Sequence, residues 1–159
     1  MFLSRKIFFF LLAGCSLLSC RPDKGPGPGK SRSQMLTEAG WLLIEAYSNT
    51  QKDTVNDTRD IYAEMQDCEK DNVTYFADDH KITIHSIGIK CYDTEPEKIT
   101  PKEWVLISNS ELELTDILQK RTYTAVIFEL SEELLHYRVT GTKPDGTYFE
   151  ETYKYKKVK

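Results

Sequence analysis

Residues 122–155 read TYTAVIFELSEELLHYRVTGTKPDGTYFEETYKY, and apolar side chains recur at alternate positions on both sides of two short turns. A period of two is typical of a β-strand that has one buried and one solvated face. The segments 131–133 and 144–146 contain Ser, Pro, Asp and Gly, which favour turns. The stretch therefore predicts consecutive antiparallel strands, which run from Thr122 to Leu130, through Leu135 to Val139, and from Tyr148 to Tyr155.

The same alternation continues toward the N-terminus. It predicts one hairpin with strands 73–77 and 81–89, and another in which the Trp104 strand turns at 108–110 and returns through 112–114. These segments follow one another with short connections. Such an order is typical of antiparallel sheets.

The first strand begins at Trp41, and strict alternation would place Leu43 and Tyr47 on the same face as Trp41. Residues 49–58 follow; they are too hydrophilic to pack, so we expect a loop. Apolar side chains then recur at helical spacing over 61–68, which predicts one short helix. Its candidate N-cap residues are Asp57, Thr58 and Asp60.

About eight hairpin-linked strands, each with one apolar face, must bury that face, and closing the sheet on itself also removes its edges. The predicted fold class is therefore all-β with small α content, an antiparallel up-and-down barrel with one short helix before the second strand. A barrel of this size can be filled by side chains or hold one small ligand. A two-sheet sandwich is the alternative, although it usually needs longer connections.

Residues 1–19 have the parts of a secretory signal peptide: basic Arg5 and Lys6, an apolar stretch, and small residues before Cys20. The apolar stretch is short for a transmembrane helix. Residues 17–20, LLSC, resemble the lipobox of bacterial lipoproteins, which implies cleavage after Ser19 and acylation of Cys20. The alternative is an ordinary secretory signal followed by a spare cysteine.

Pro and Gly recur after Cys20, so residues 20–33 are expected to form a lipidated tether, and 34–159 the folded domain. Two or three acyl chains hold a protein at a membrane durably. The sequence thus predicts a protein of the bacterial cell envelope, anchored by lipid to a membrane, which we expect to be the outer membrane. The domain would lie in the periplasm or at the cell surface.

The cysteine inventory predicts one disulfide. Of the four cysteines, Cys15 would leave with the signal and Cys20 would carry lipid. Cys68 and Cys91 then remain as a pair in an oxidising compartment, where a structural disulfide is the simplest interpretation. A reactive thiol pair is the alternative, but it would favour a much closer spacing in the sequence.

The chain resembles the lipocalin-like lipoproteins of Bacteroidetes-type bacteria. The resemblance rests on the lipobox and tether and on the order of weak motifs, which are Gly40-Trp41-Leu42-Leu43, Cys68-Glu69-Lys70-Asp71-Asn72 before the Phe76 strand, Cys91, the Trp104 strand, Leu112-x-Leu114 and Leu135-x-Tyr137. It implies a lipocalin-like barrel that in some members binds a small hydrophobic molecule. For most such proteins the resemblance implies no activity.

Several function classes are disfavoured. The net charge of −4 argues against a nucleic-acid partner, since such binding rests on neutralising phosphates. His80, His85 and His136 do not have metal-ligand spacing, and no nucleophile with a base, phosphate loop or dinucleotide motif is present. We therefore expect no enzyme activity, no cofactor and no metal.

Candidate ligand-binding residues follow from the barrel. On the last strand, Phe149, Glu151, Tyr153 and Tyr155 share a face if the alternation is regular, which would place a carboxylate among inward aromatic rings. The alternative is a bulge that turns Glu151 to solvent, or a position of Glu151 at the barrel mouth. The full candidate set is Trp41, Trp104, Tyr137, Phe149, Glu151 and Tyr153.

Two functions remain open at this level. The first is a membrane-anchored barrel that binds a small hydrophobic ligand between its open end and residues 49–58. The second is a structural or interaction lipoprotein, or an inhibitor, whose loops contact another envelope protein. Copurification of a lipid-like molecule would favour the first, and a specific crosslinked partner would favour the second.

Overall fold

The computed structural model describes residues 29–94 and 96–158, which contain short helices and long antiparallel strands. The signal segment and Cys20 lie outside the described residues. The elements in chain order are α1 (Arg32–Thr37), β1 (Gly40–Lys52), β2 (Val55–Asp60), α2 (Ile61–Glu64), α3 (Asp67–Lys70), β3 (Val73–Phe76), β4 (Lys81–His85), β5 (Lys98–Ser108), β6 (Glu111–Asp116), β7 (Arg121–Leu130), β8 (Leu134–Thr142) and β9 (Tyr148–Val158).

The strands close into a barrel. They form one 9-stranded sheet in the order β2-β1-β3-β4-β5-β6-β7-β8-β9, and β1 also pairs with β9. The closed ring is therefore 8-stranded, made of β1 and β3 to β9, while β2 pairs with the second half of β1. This confirms the predicted all-β, lipocalin-like barrel architecture and excludes the two-sheet sandwich.

The two ends of the barrel differ, and α1 covers one of them. Ser31 and Gln34 form a capping box that starts this helix, and Leu36 within it is fully buried against the barrel core. The indole Nε1 of Trp41 donates a hydrogen bond to the carbonyl oxygen of Leu36, at 2.9 Å. We call this end, where β1 begins and β9 finishes, the closed end, and the opposite end the open end.

The closed half is packed with large side chains. The rings of Phe76 and Trp104 meet edge to face with centroids 5.6 Å apart, and Trp104 donates its Nε1 hydrogen to the carbonyl oxygen of Ala77 at 3.1 Å. Leu112 and Leu135 are fully buried beside them. This half of the barrel is therefore a filled core.

The prediction for the faces of the first strand is wrong beyond its start. Trp41 points inward as expected, but the register with β9 shifts between Leu43 and Glu45, which marks a β-bulge. Beyond the bulge Ala46 and Ser48 are buried, whereas Tyr47 is 46% exposed. The extra residue reverses which side chains face the core, a reversal that strict alternation does not foresee.

The expectation of a loop over 49–58 is also wrong. β1 continues to Lys52, and β2 returns beside it after a tight turn in which Asp53 has φ 54°. Every residue of β2 is exposed. A strand can form here without packing because β1 supplies its hydrogen-bonding partner.

The predicted single helix is two short ones, α2 and α3, separated by extended backbone at Met65. Among the candidate caps, Asp60 is the residue used, since its side chain accepts a hydrogen bond from the backbone N–H of Ala63 at 2.8 Å. The predicted strand 81–89 ends at His85. Beyond it the chain leaves the sheet as a connection to β5.

Cys68 and Cys91 form the predicted disulfide, which links α3 to this connection across a sequence separation of 23. A second tie lies beside it, because Asp71 accepts a hydrogen bond from the backbone N–H of Ile89 at 2.8 Å. In the chain-entropy model a closed loop of this length stabilises the folded state by about 3 kcal/mol. The connection is therefore held at two points, although its described residues, 86–94, 96 and 97, form no helix or strand.

Candidate functional site

The open end contains a cavity of about 470 Å³. Ligand pockets for small molecules occupy about 300–1,000 Å³, so this volume suits a small organic molecule. Its walls come from β5, β6, β7, β8 and β9 and from the turns that join them. The lining residues are Lys102, Leu114, Asp116, Gln119, Arg121, Tyr123, Val139, Lys143, Pro144, Phe149, Glu151 and Tyr153.

One wall of the cavity is apolar. The rings of Tyr123 and Phe149 meet edge to face with centroids 5.5 Å apart, and Val139 and Leu114 are buried beside them. Gly141 lies opposite Phe149 in the β8–β9 pairing, and a Cβ atom there would come within 2.7 Å of the Phe149 ring. The glycine therefore allows the ring to lie flat over the strand and to form the wall.

Glu151 places a carboxylate inside this cavity. The β8–β9 pairing runs in constant register from Leu134 to Thr142, so the alternation of β9 is regular and the alternative of a bulge is excluded. The Tyr153 hydroxyl donates a hydrogen bond of 2.6 Å to Oε2 of Glu151. The pair leaves carboxylate acceptor capacity at the cavity wall, because an ionised carboxylate accepts several hydrogen bonds.

Buried phenols lie below Glu151. The Tyr137 and Tyr155 hydroxyls are 3.4 Å apart, and the Tyr137 ring is tilted against that of Tyr153 at 5.5 Å. Burial raises the pKa of Tyr137, Tyr153 and Tyr155 above the ordinary tyrosine value, and the Glu151 carboxylate adds to the rise for Tyr153. The phenols therefore stay neutral and act as hydrogen-bonding groups in the middle of the barrel.

The rim of the cavity is charged. Lys102, Arg121 and Lys143 line it together with Asp116, which accepts a hydrogen bond from the backbone N–H of Gln119 at 2.7 Å. Asp116 lies in register with both Lys102 and Arg121 across the sheet. Within residues 29–94 and 96–158, however, the side chains of the three cations form no ion pair.

A second, more polar cavity of about 340 Å³ adjoins the first. It lies between β1, β2 and α2, and it shares Lys143 and Glu151 with the larger cavity. The ion pair between Arg59 and Glu64 forms part of its wall. Glu151 and Lys143 therefore stand at the boundary between an apolar and a polar compartment.

Half of the residues predicted to bind a ligand line the larger cavity. Phe149, Glu151 and Tyr153 do so, as the alternation of the last strand indicated. Tyr137 lies one layer deeper, in contact with Tyr153. Trp41 and Trp104 do not line this cavity; both are buried in the closed half, and their indole N–H groups donate hydrogen bonds to backbone carbonyls.

Sequence reasoning missed the remaining walls. The sequence predicts Leu114 and Val139 only as residues of their strands, and no pattern distinguishes Tyr123 from its neighbours. The rim cations were missed as well, because Lys102, Arg121 and Lys143 are far apart in the sequence. The register of β5, β6 and β7 brings Lys102 and Arg121 together, and the β8–β9 turn adds Lys143.

The histidines do not converge. His80 is exposed in a turn with φ 65°, His85 contacts the Tyr75 ring at 4.7 Å, and His136 contacts the Phe128 ring at 5.1 Å. In the part of the chain that the structure describes, no group of three or more His, Cys, Asp and Glu side chains could hold a metal ion. The helices found there are all too short or too polar to cross a membrane.

Comparison with known proteins adds no homologue: no protein-family model matches the chain, and neither does any curated protein sequence. The barrel and its cavities are therefore the features of the molecule that bear on its function.

Proposed function

We propose that this protein is a lipid-anchored, lipocalin-like binding protein that holds a small amphipathic molecule at the open end of its barrel. The observation that carries the proposal is the cavity of about 470 Å³ whose apolar wall is formed by Phe149, Val139 and Leu114. Apolar surface of this kind is stabilised when a ligand removes it from water. The adjacent Glu151–Tyr153 pair gives such a ligand a polar contact.

A fluorescence titration tests the binding of a ligand. All helices, strands and core residues described above lie within 29–158, so a protein that begins at Gly29 retains the complete barrel. The neutral apolar dye N-phenyl-1-naphthylamine should bind this protein saturably. Replacing Val139→Phe fills the cavity from β8 and should weaken binding at least about tenfold.

The matched control is Val105→Phe, because Val105 lies on β5, is 43% exposed and does not line the cavity. This variant should bind the dye like the wild type. Leu114→Phe narrows the opposite wall and serves as a second filling variant if Val139→Phe does not fold, which circular dichroism reports. Saturable binding that survives both filling variants would place the dye elsewhere and defeat the proposal.

The lipid anchor rests on the lipobox-like residues 17–20 and on the neighbouring signal pattern. In a bacterial host, the full chain should appear in the membrane fraction and carry acyl chains on Cys20, as mass spectrometry of the N-terminal peptide can show. Cys20→Ser should abolish acylation and release the protein to soluble fractions. Cys15→Ser is the matched control, and an acylated Cys20→Ser variant would contradict the assignment.

A role in protein interaction is the second candidate. It is favoured by the connection between β4 and β5, on which Ile87, Ile89 and Tyr92 are each more than 60% exposed. Clusters of exposed apolar side chains often mark protein contacts. In vivo crosslinking that captures one envelope protein, and loses it when these three residues become Ser, together with a barrel that binds no dye, would select this function over ligand binding.

A further inference from the structure

The charged side chains at the rim of the open-end cavity bear on the charge of the ligand. Three cationic side chains, Lys102, Arg121 and Lys143, line it, against two carboxylates, Asp116 and Glu151. Both carboxylates already accept hydrogen bonds, from the Gln119 backbone and the Tyr153 hydroxyl respectively. The cations form no ion pair among the described side chains, and three cations against two carboxylates give the cavity lining a net charge of +1.

Elsewhere on the surface, cations are commonly paired. Lys52 contacts Asp145 at 3.1 Å, Lys154 contacts Glu45 at 2.9 Å, and Arg138 contacts Glu150 at 3.3 Å. Carboxylates are also within reach of the rim, since Asp116 is in register with Lys102 and Arg121. The lack of ion pairs at the rim therefore does not follow from a shortage of acidic residues nearby.

The position of Glu151 determines the order of charged groups from the rim of the cavity inward. Its carboxylate lies inside the cavity and would repel an anion that moved inward, whereas the cations stand at the rim where an anion would remain partly solvated. Along β9 the Phe149 ring lies on the open-end side of Glu151, and Val139 is the direct partner of Glu151 across the sheet. A molecule with one acidic end and one apolar body fits this order, with its body in the cavity and its acidic group at the rim.

We propose that the ligand is an anionic amphiphile whose acidic group is bound by Lys102, Arg121 and Lys143 while its apolar part contacts the Phe149 wall. This inference rests on the proposed binding function and adds the charge of the ligand to it. An exposed ion pair contributes modestly, so each cation should strengthen binding by about two- to fivefold. The three cations together should change the affinity enough for a direct titration to measure the difference.

Two dyes with the same aromatic body test the proposal. 1-Anilinonaphthalene-8-sulfonate carries a sulfonate that N-phenyl-1-naphthylamine lacks. The protein beginning at Gly29 should bind the sulfonate dye about tenfold more tightly than the neutral dye at low salt. The preference should shrink as the ionic strength rises from about 0.01 M to about 0.15 M, because the Debye length falls from about 30 Å to about 8 Å.

The triple variant Lys102→Gln, Arg121→Gln, Lys143→Gln should bind the two dyes with similar affinity, because the charges that distinguish the sulfonate dye from the neutral one are removed. Lys98→Gln is the matched control, because Lys98 is exposed, has no ion pair among the described residues and does not line the cavity. This control should keep the preference for the sulfonate. A preference that the triple variant retains would mean sulfonate binding elsewhere on the surface and overturn the proposal.

The remaining outcomes separate this inference from the function beneath it. If the wild type binds both dyes equally and Val139→Phe weakens both, the cavity binds ligands but does not select anions, and only the inference fails. If neither dye binds saturably, the proposed binding function is wrong, and the inference about the charge of the ligand is wrong as well.

Discussion

At the scale of single residues, the hydrogen bond between Tyr153 and Glu151 is the polar interaction of the site whose loss should lower the stability of the protein most. Tyr153→Phe removes the donor of a 2.6 Å hydrogen bond and leaves a partly buried carboxylate with one partner fewer. Hydrogen bonds to charged groups contribute about 1.5–3 kcal/mol to folding. We expect the variant to lower the free energy of unfolding by about this amount in urea titrations at neutral pH.

Tyr123→Phe is the matched control for this prediction. Tyr123 lines the same cavity and packs against Phe149, but its hydroxyl has no hydrogen-bond partner among the described residues, so its removal should change the free energy of unfolding by less than about 0.5 kcal/mol. The double variant with Glu151→Gln should lose less than the sum of the single losses, since the groups interact directly. Equal effects of Tyr153→Phe and Tyr123→Phe would refute the prediction.

At the scale of elements, the strands that could be predicted are those whose apolar period is unbroken. β6, β8 and β9 alternate regularly, so the inward positions of Phe149, Glu151 and Tyr153 followed directly from the sequence. The side chains of β1 that face the core could not be predicted in this way, because the bulge near Leu43 depends on pairing with β9, which is distant in the sequence. The apolar period of a strand predicts which of its side chains face the core only where pairing with a distant strand introduces no bulge.

The elements that prediction missed have polar sequences or are very short. β2 is exposed along its whole length, so it has no apolar period to detect, and only its tight turn at Asp53 signals a hairpin. α1 has just one buried residue, Leu36, although the pattern Ser31-x-x-Gln34 is a capping-box signal that could have indicated it. The sequence does not single out the rim cations either, because charged side chains near turns are typical of any protein surface.

At the scale of the whole molecule, the closed end is held by a cluster of charges that joins distant parts of the chain. Lys30 precedes α1, Glu38 follows it, Glu132 lies in the turn before β8, and Lys157 is near the end of β9. Lys30 contacts Glu38 at 2.6 Å and Glu132 at 3.2 Å, and Lys157 pairs with the same two carboxylates. We call these four residues the closed-end cluster. It ties the segment before α1 to the barrel.

The closed-end cluster should make stability depend on pH at both extremes. Hydrogen bonds from Lys157 and Lys30 lower the pKa of Glu38 and Glu132 below 4.5, and the same contacts raise the pKa of Lys30 and Lys157 above 10.5. A carboxylate with a lowered folded-state pKa stabilises the fold above its unfolded pKa, and this contribution is lost as the pH falls through the folded value. For the lysines the contribution is present below 10.5 and is lost as the pH rises.

The double variant Glu38→Gln, Glu132→Gln checks this dependence through thermal unfolding as a function of pH. Its Tm should lie a few degrees below that of the wild type at pH 7, and the difference should vanish well below pH 4.5, where the wild-type carboxyls are protonated and resemble the amides. Glu103→Gln with Glu113→Gln is the control, since these carboxylates form no ion pair among the described residues, and its Tm should follow the wild type throughout. Because the closed-end cluster is partly exposed, added salt should also narrow the difference at pH 7. A Tm difference that persists unchanged into acid would mean that the glutamates act through packing and not through their charge.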